Sequence, residues 1–281
     1  MNPIGVNAWV WAAPVTDAAV AEIAPKARRM GFDVLELGAE GPGSWDPGRT
    51  AEVLAANGLG ATVCAAMGPD KDLTDPALVA GTQAFLRDAI DRAATIGAGA
   101  VAGPLYTPVG KTWRSTAAER KATVSRLLEG LRPLVDYAGE RGVALAIEPL
   151  NRFETSFLNT AEQTMEIVEA IDSPACGVLL DTFHMNIEER SQPAAIRLVG
   201  KRLAHFHACG CDRGAPGQDA IDWPGIVAAL REVGYAGPLV IESFTPDNDV
   251  IAKAAAIWRP LAPSEDALAE DGLRFLKGAL A

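Results

Sequence analysis

Gly177-Val-Leu-Leu-Asp-Thr-Phe-His-Met-Asn186 is the stretch on which the fold turns. Val178 to Leu180 is a short apolar run that reads as a strand buried on both faces. It delivers Asp181 and then His184. A carboxylate and an imidazole where a buried strand meets its loop are costly to desolvate unless paired or bound to a metal. Three other places repeat the pattern. Glu148 follows Val143-Ala-Leu-Ala-Ile147, His207 closes Leu203-Ala-His-Phe-His207, and Glu242 follows Leu239-Val-Ile241.

Working outward, apolar runs of the same kind recur along the whole chain. Candidate strands are Ile4–Val10, Val34–Leu37, Ala61–Ala66, Ala98–Gly103, Val143–Ile147, Gly177–Leu180, Leu203–His207 and Leu239–Ile241. Their spacing is that of one βα unit each, some with long loops. Thr116 with Glu119, and Thr160 with Gln163, are spaced as capping boxes. Asp46-Pro47 and Asp75-Pro76 put proline at a first helical position. Val124, Leu127, Leu128, Leu131, Val135 and Ala138 form one apolar helical stripe. Gly31, Gly58, Gly97, Gly142 and Gly234 precede strands, as helix-terminating glycines do.

Eight such units without a linker or low-complexity segment predict an α/β fold, a single (β/α)8 TIM barrel spanning residues 1–281. Residues 245–281 are expected to be a helical tail packing on that barrel. A dinucleotide-binding sheet would place its glycines after an early strand. Those of Gly97-Ala-Gly-Ala-Val-Ala-Gly103 precede and enter one instead.

Composition narrows the function. The 281 residues are 49% hydrophobic and 22% charged, enough to bury a large core and without a disorder signature. A net charge of −11 excludes the basic footprint that nucleic acid demands. The four cysteines are scattered, which fits a reducing cytosol rather than a disulfide framework. Residues 1–25 hold no Lys or Arg, so the basic start of a signal peptide is missing. No apolar run reaches the roughly 20 residues of a membrane helix. The expected setting is the cytoplasm, with no membrane and no nucleic acid as partner.

In a barrel of this class, active sites form at the C-terminal strand ends. Glu148, Asp181, His207 and Glu242 all fall there, on strands five to eight. A lone strand-end carboxylate is more often a helix cap or an ion-pair partner; four metal-capable groups in this pattern point to a metal site. Three carboxylates and one imidazole suit Mn²⁺, Mg²⁺ or Co²⁺ better than a thiolate zinc site. His205 shares a face with His207 and reads as a hydrogen-bonded histidine deeper in the barrel. His184 reads as a substrate contact, since Asp181 already occupies the strand end. Arg152, Glu154 and Arg213 lie on loops suited to sugar hydroxyls, where solvated charges are the ordinary alternative. Cys209 and Cys211 read as unreactive thiols. Trp9, Trp11, Phe153, Phe157, Phe183 and Phe244 flank the strand ends, and Trp11 is the one expected to line the pocket. Glu36 ends the second strand, placed to support either that wall or the glutamate pair.

Glutamates after strands five and eight would flank a shared metal from opposite sides. A divalent ion holding a ketose carbonyl and the adjacent hydroxyl oxygen stabilises the cis-enediolate formed on loss of the α-proton. One carboxylate takes that proton and the other returns one to the opposite face, which inverts the carbon.

As a set, these residues resemble the D-tagatose 3-epimerase family, also called D-allulose (D-psicose) 3-epimerases, of the xylose-isomerase-like barrels. Glu148-Pro-Leu-Asn-Arg-Phe-Glu154, Leu180-Asp-Thr-Phe-His-Met-Asn-Ile-Glu-Glu189, His205-Phe-His207, Asp212-Arg-Gly214, Ile241-Glu-Ser-Phe244 and Trp258-Arg259 carry the resemblance, which spans essentially the whole chain. It implies an isomerase acting at C3 of a free ketohexose of the D-tagatose or D-allulose/D-fructose type. It implies that Glu148, Asp181, His207 and Glu242 bind one Mn²⁺ (or Co²⁺ or Mg²⁺) per subunit. Glu148 and Glu242 would double as proton-transfer groups. Glu154, His184 and Arg213 would contact the O1–O3 end of the sugar, in a homodimer or homotetramer. The sequence departs from the family at one loop: relatives commonly carry Glu in a His-x-x-Glu-x-x-Arg run, and Gly210 stands there, followed by Cys211.

Two other chemistries fit the same barrel and metal: an inosose dehydratase-like lyase, and an aldose–ketose isomerase such as a hydroxypyruvate isomerase. DNA-repair endonucleases of the superfamily need several histidine-rich zinc sites, and this acidic chain has three histidines. A sugar-binding barrel without activity would bind without exchanging hydrogen.

Overall fold

A computed structural model describes residues 2–41 and 44–281. Among the described residues, eight parallel strands close into a barrel in sequence order. They are β1 (Ile4–Asn7), β2 (Val34–Gly38), β3 (Gly60–Cys64), β4 (Ala100–Gly103), β5 (Ala144–Ile147), β6 (Cys176–Asp181), β7 (Leu203–Ala208) and β8 (Leu239–Ile241). β8 pairs back onto β1 through Ile4 and Leu239. A closed barrel has no edge, and each strand is covered on both faces, which is why the strands read as unbroken apolar runs.

The first strand is shorter than the expected Ile4–Val10. Asn7 accepts the Trp9 amide at 2.8 Å and caps a 3₁₀ turn over Ala8–Val10. A local side-chain bond of this kind competes with the ladder and ends the strand.

The helices lie between strands: α1 (Asp17–Met30), α2 (Pro47–Asn57), α3 (Val79–Thr95), α4 (Ala117–Gly139), α5 (Ala161–Ile171), α6 (Thr182–Glu188), α7 (Gln192–Val199) and α8 (Trp223–Val233). After β8 come α9 (Asp249–Ala254) and α10 (Glu265–Leu280). Thr116 and Glu119 form the complete capping box of α4. Thr160 caps α5, but Gln163 reaches past it to the Asn159 amide at 2.8 Å, so only half of that box forms. Asp46-Pro47 starts α2, whereas Asp75-Pro76 starts a turn and α3 begins at Val79.

The main core lies between barrel and helices; α4 contributes Leu127, Leu131, Leu134, Val135 and Ala138 to it. Several paired positions of the barrel are small or polar. Register sets Asn7 beside Glu36 and Glu36 beside Thr62, and sets Cys64 beside Ala102 and Ala102 beside Ala146. Ala102, Ala146 and Leu179 make a separate apolar cluster.

The tail packs back on the barrel. α10 buries Leu268, Ala269, Leu273, Leu276 and Leu280 and meets α8, β1 and β8. Asp266 on α10 also binds the Trp11 indole at 2.7 Å and Lys26 at 3.1 Å. No helix of the described residues is long and apolar enough to cross a membrane.

Candidate active site and metal centre

β5 to β8 deliver Glu148, Asp181, His207 and Glu242 to one place. One ligand atom from each lies within 4.8 Å of the others, and all four residues are buried. Asp181 is fixed by its helix: Oδ1 caps α6 through the Phe183 amide at 2.8 Å, which leaves Oδ2 for the site. Oδ2 accepts Arg213 Nη1 at 2.7 Å, and the same nitrogen donates to Glu242 Oε2 at 3.0 Å. Glu148 Oε1 and His207 Nδ1 make no hydrogen bond although both are buried. Buried polar atoms are otherwise nearly always satisfied. One unsatisfied carboxylate oxygen and one unsatisfied ring nitrogen, beside two more carboxylates, form a set of groups that fits a hard divalent cation.

The charges are arranged unequally. Burial and then the charge of Glu242 push the Glu148 pKa well above the usual carboxylate range. Burial raises Asp181 to about 6 despite Arg213. For Glu242 burial is outweighed by His207 and Arg213, and its pKa lies below the usual value. His207 is held well above an ordinary histidine by Glu242 and Glu36, against the effect of burial.

Glu36 crosses from β2 to organise this histidine. Its Oε1 lies 2.8 Å from His207 Nε2, which turns Nδ1 toward Glu242 at 3.3 Å. Asn7 donates to Oε1 at 3.0 Å and Thr62 to Oε2 at 2.9 Å. His205 Nε2 stands 2.7 Å from Oε2, close but poorly aligned for a hydrogen bond. His205 therefore sits against Glu36 with its ring 5.0 Å from that of His207, and it is not one of the four residues of the cluster. Against burial, the two imidazoles hold the Glu36 carboxyl well below its usual range. A carboxylate behind a histidine fixes the ring and its proton, as it does behind metal-binding histidines generally.

A cavity of about 310 Å³ opens over the cluster. Glu148, Glu154, His184, Arg213 and Glu242 line one side of it. The Arg213 guanidinium is buried between the rings of Phe183 and Phe244, 4.1 and 5.4 Å from their centroids. Its backbone adopts the left-handed region, φ 69°, in a turn closed by the Gly210 amide on the Gly214 carbonyl at 2.9 Å. A Cβ on Gly210 would meet that carbonyl oxygen at 2.9 Å and that of Ala215 at 3.0 Å. The Gly210–Gly214 loop is thus a compact turn that carries Arg213.

The remaining residues divide. Trp11 does not line the cavity, because the 3₁₀ turn sends its indole to Asp266; Trp9 lines it instead. Arg152 holds Glu188 on α6 through three bonds of 2.7–3.0 Å and so ties the loop after β5 to α6. Phe153 is exposed and Phe157 is core. Burial and then the charge of Asp181 push the Cys209 thiol pKa well up, the environment of an inert cysteine. Cys64, Glu40 and Asn151 were not singled out in the sequence. Cys64 Sγ lies 3.9 Å from Glu242 Oε1. Glu40 is a carboxylate on the cavity wall that accepts the Trp9 indole N–H at 2.9 Å. Asn151 bonds both His184 and Glu154.

Residues 24–279 match a family described as xylose isomerase-like TIM barrels. The chain is 35% identical to a probable ketose 3-epimerase of Synechocystis sp., over 89% of this chain and 88% of the other. This chain belongs to the ketose 3-epimerases of that barrel family. A second relative in the family, a D-psicose 3-epimerase of Ruminiclostridium cellulolyticum, is 33% identical over 86% of this chain and 84% of its own. A crystal structure of a Methylomonas D-allulose 3-epimerase in complex with D-allulose superposes with a TM-score of 0.92. It shares 29% identity, and the match covers 99% of this chain and 97% of that one.

Proposed function

We propose that this ketose 3-epimerase family member inverts C3 of a free ketohexose of the D-tagatose or D-allulose/D-fructose type. The observation that carries the reading is the pair Glu148 and Glu242. They sit in one buried cluster, delivered by the non-adjacent strands β5 and β8. A two-base inversion needs two proton-transfer groups that reach one carbon from different sides. The Glu242 carboxylate takes the C3 proton while the C–H electrons pass toward the C2 carbonyl. The Glu148 carboxyl then returns a proton to C3 from the other face. For the opposite epimer the roles exchange.

Glu148, Asp181, His207 and Glu242 would hold one divalent ion, for which we propose Mn²⁺, with Co²⁺ or Mg²⁺ taken by the same donors. When bound, the ion supplies Lewis-acid stabilisation of negative charge on the sugar oxygens. Glu154, His184 and Arg213 hold the O1–O3 end of the substrate, and Trp9 faces the remainder. The chain works as a single barrel domain, with residues 245–281 as its packed tail, in the cytoplasm as a homodimer or homotetramer. The net charge of −11 supports a small-sugar substrate over nucleic acid.

Proton NMR of D-fructose, D-allulose and D-tagatose incubated with the protein and Mn²⁺ in D₂O tests the proposal. Deuterium at C3 with the C3 epimer accumulating is the expected result. Exchange at C1 with aldose formation, or no exchange by any ketose with metal bound, would overturn it.

A further inference from the structure

We infer that Glu40 sets specificity at the far end of the cavity, where its carboxylate accepts hydrogens from two neighbouring hydroxyls of the sugar chain beyond C3. The inference deepens the ketose reading and rests on it for which part of the substrate lies there.

Topology gives the place. In the closed strand order β2 stands four strands from β6, so the loop leaving β2 faces the side that carries Glu154, His184 and Arg213 across the same cavity. The Ala39 amide still bonds the Cys64 carbonyl at 2.7 Å, which puts Glu40 one residue past the last bond of the ladder. A side chain so close to a strand end is held more precisely than one in mid-loop. A ketose gripped at O1–O3 on the β5–β7 side runs its remaining carbons toward Trp9 and Glu40.

Trp9 and Gly38 fix the carboxylate. The Trp9 indole lies flush on Gly38, where any Cβ would run into the ring, and the Trp45 indole holds the Gly38 carbonyl at 2.9 Å. The Trp9 N–H donates to Glu40 Oε1 at 2.9 Å and the Val15 amide donates to Oε2. Both groups only donate, so each oxygen is an acceptor with a lone pair still open. Neither partner carries charge, and among the described residues no cation pairs with Glu40. Lys71, the other charged side chain on this wall, is engaged by Asp70 at 2.9 and 3.0 Å and lies over the Phe85 ring. The tail residues Val250, Ile251, Ala254 and Ala255 add only apolar side chains to the cavity. A half-buried carboxylate without a counter-ion is poorly satisfied, and two adjacent O–H groups meet that lack with charge-assisted hydrogen bonds.

A cycle between residue and substrate tests this. Calorimetry would measure binding of D-allulose and its 4-deoxy, 5-deoxy and 6-deoxy analogues to the Mn²⁺-loaded protein, wild type and Glu40→Ala, with C3 exchange followed in parallel. Wild type should lose about 10–100-fold in affinity at two adjacent positions, the range for a hydrogen bond to a charged group. Glu40→Ala should bind D-allulose weaker by a similar factor and no longer distinguish it from those two analogues. The analogues differ in ring form, so the readout is the ratio of wild type to variant for each sugar. An equal ratio for all four sugars would make Glu40 a mere support for Trp9 and overturn the inference. A wild type indifferent to all three deoxy positions overturns it without the variant. Discrimination that depends on Glu40, without C3 exchange, would sink the epimerase reading alone; C3 exchange without discrimination would sink this inference alone. A metal-loaded protein that binds none of the sugars overturns both.

Discussion

The two halves of the barrel end differently. β5 to β8 finish on Glu148, Asp181, His207 and Glu242, with Glu154, His184 and Arg213 on the loops beyond them. β1 to β4 finish on Trp9, Ala39, Ala66, Pro104 and Val109, which give the cavity its shape and few ionisable groups. One half carries most of the charge, while both supply apolar contour, the second half through Leu150, Phe244, Val250 and Ile251. Glu36 crosses between them, and Glu40 and Lys71 are charged groups on the first-half wall. The lesson is that substitutions in the first half should alter which substrate fits, and those in the second whether anything happens to it.

The strongest way to break that division is to neutralise a proton-transfer group. Glu242→Gln and Glu148→Gln are each expected to lower kcat by about 10²–10⁴-fold, the range of general acid–base contributions. Full turnover by either variant with metal still bound would remove the two-base scheme. Next is pH. Burial raises the Asp181 pKa to about 6 and pushes Glu148 above the usual range, while a metal binds the ionised forms more tightly. Affinity for Mn²⁺ should therefore fall as pH drops from about 7 to about 5, by about tenfold per unit for each proton displaced. Calorimetry in buffers of different ionisation enthalpy should show proton release near pH 6; metal uptake without protons would mean that the carboxylates are already ionised.

Glu36→Gln sharpens the comparison from the other side, because a first-half residue should there behave like a second-half one. It is expected to weaken metal binding about 10–100-fold, read by titration with Mn²⁺, as loss of a carboxylate behind a histidine ligand does. The smallest effect belongs to Trp9→Ala. It should change KM by about tenfold or less, differently for pentuloses and hexuloses, and leave kcat nearly unchanged, since an apolar wall contributes only about 1–3 kcal/mol of discrimination per group. A collapse of kcat would place Trp9 in the chemistry.

How far the sequence was legible follows the same division. An apolar run ending on a carboxylate or imidazole is a physical contradiction unless the polar group is paired, and that contradiction was visible four times, after β5, β6, β7 and β8. The barrel followed from eight apolar runs at βα spacing, with or without such an ending. The pocket wall was harder. Trp9 and Trp11 differ in sequence only by position, and their choice depended on whether Asn7 continued a strand or capped a turn. Asparagine as a helix cap is a readable signal, but within an apolar run it competes with strand propensity. Asn151 carried no signal, because its role lies in which atoms it faces. Gly210 was visible as a departure from the family, and only the turn around Arg213 explains why no side chain stands there.

Glu36 also bears on how the chain folds. A fragment ending after β4 would bury this carboxylate with Asn7 and Thr62 but with neither imidazole. A fragment starting at α4 would bury His205 and His207 without their anion. Stranding one partner of such a pair costs about 3–5 kcal/mol, a large share of the stability of a whole domain. The half-barrels of this chain are thus poor independent folding units. Cut at the loop before α4, they would be expected to complement each other in solution and to stay disordered apart.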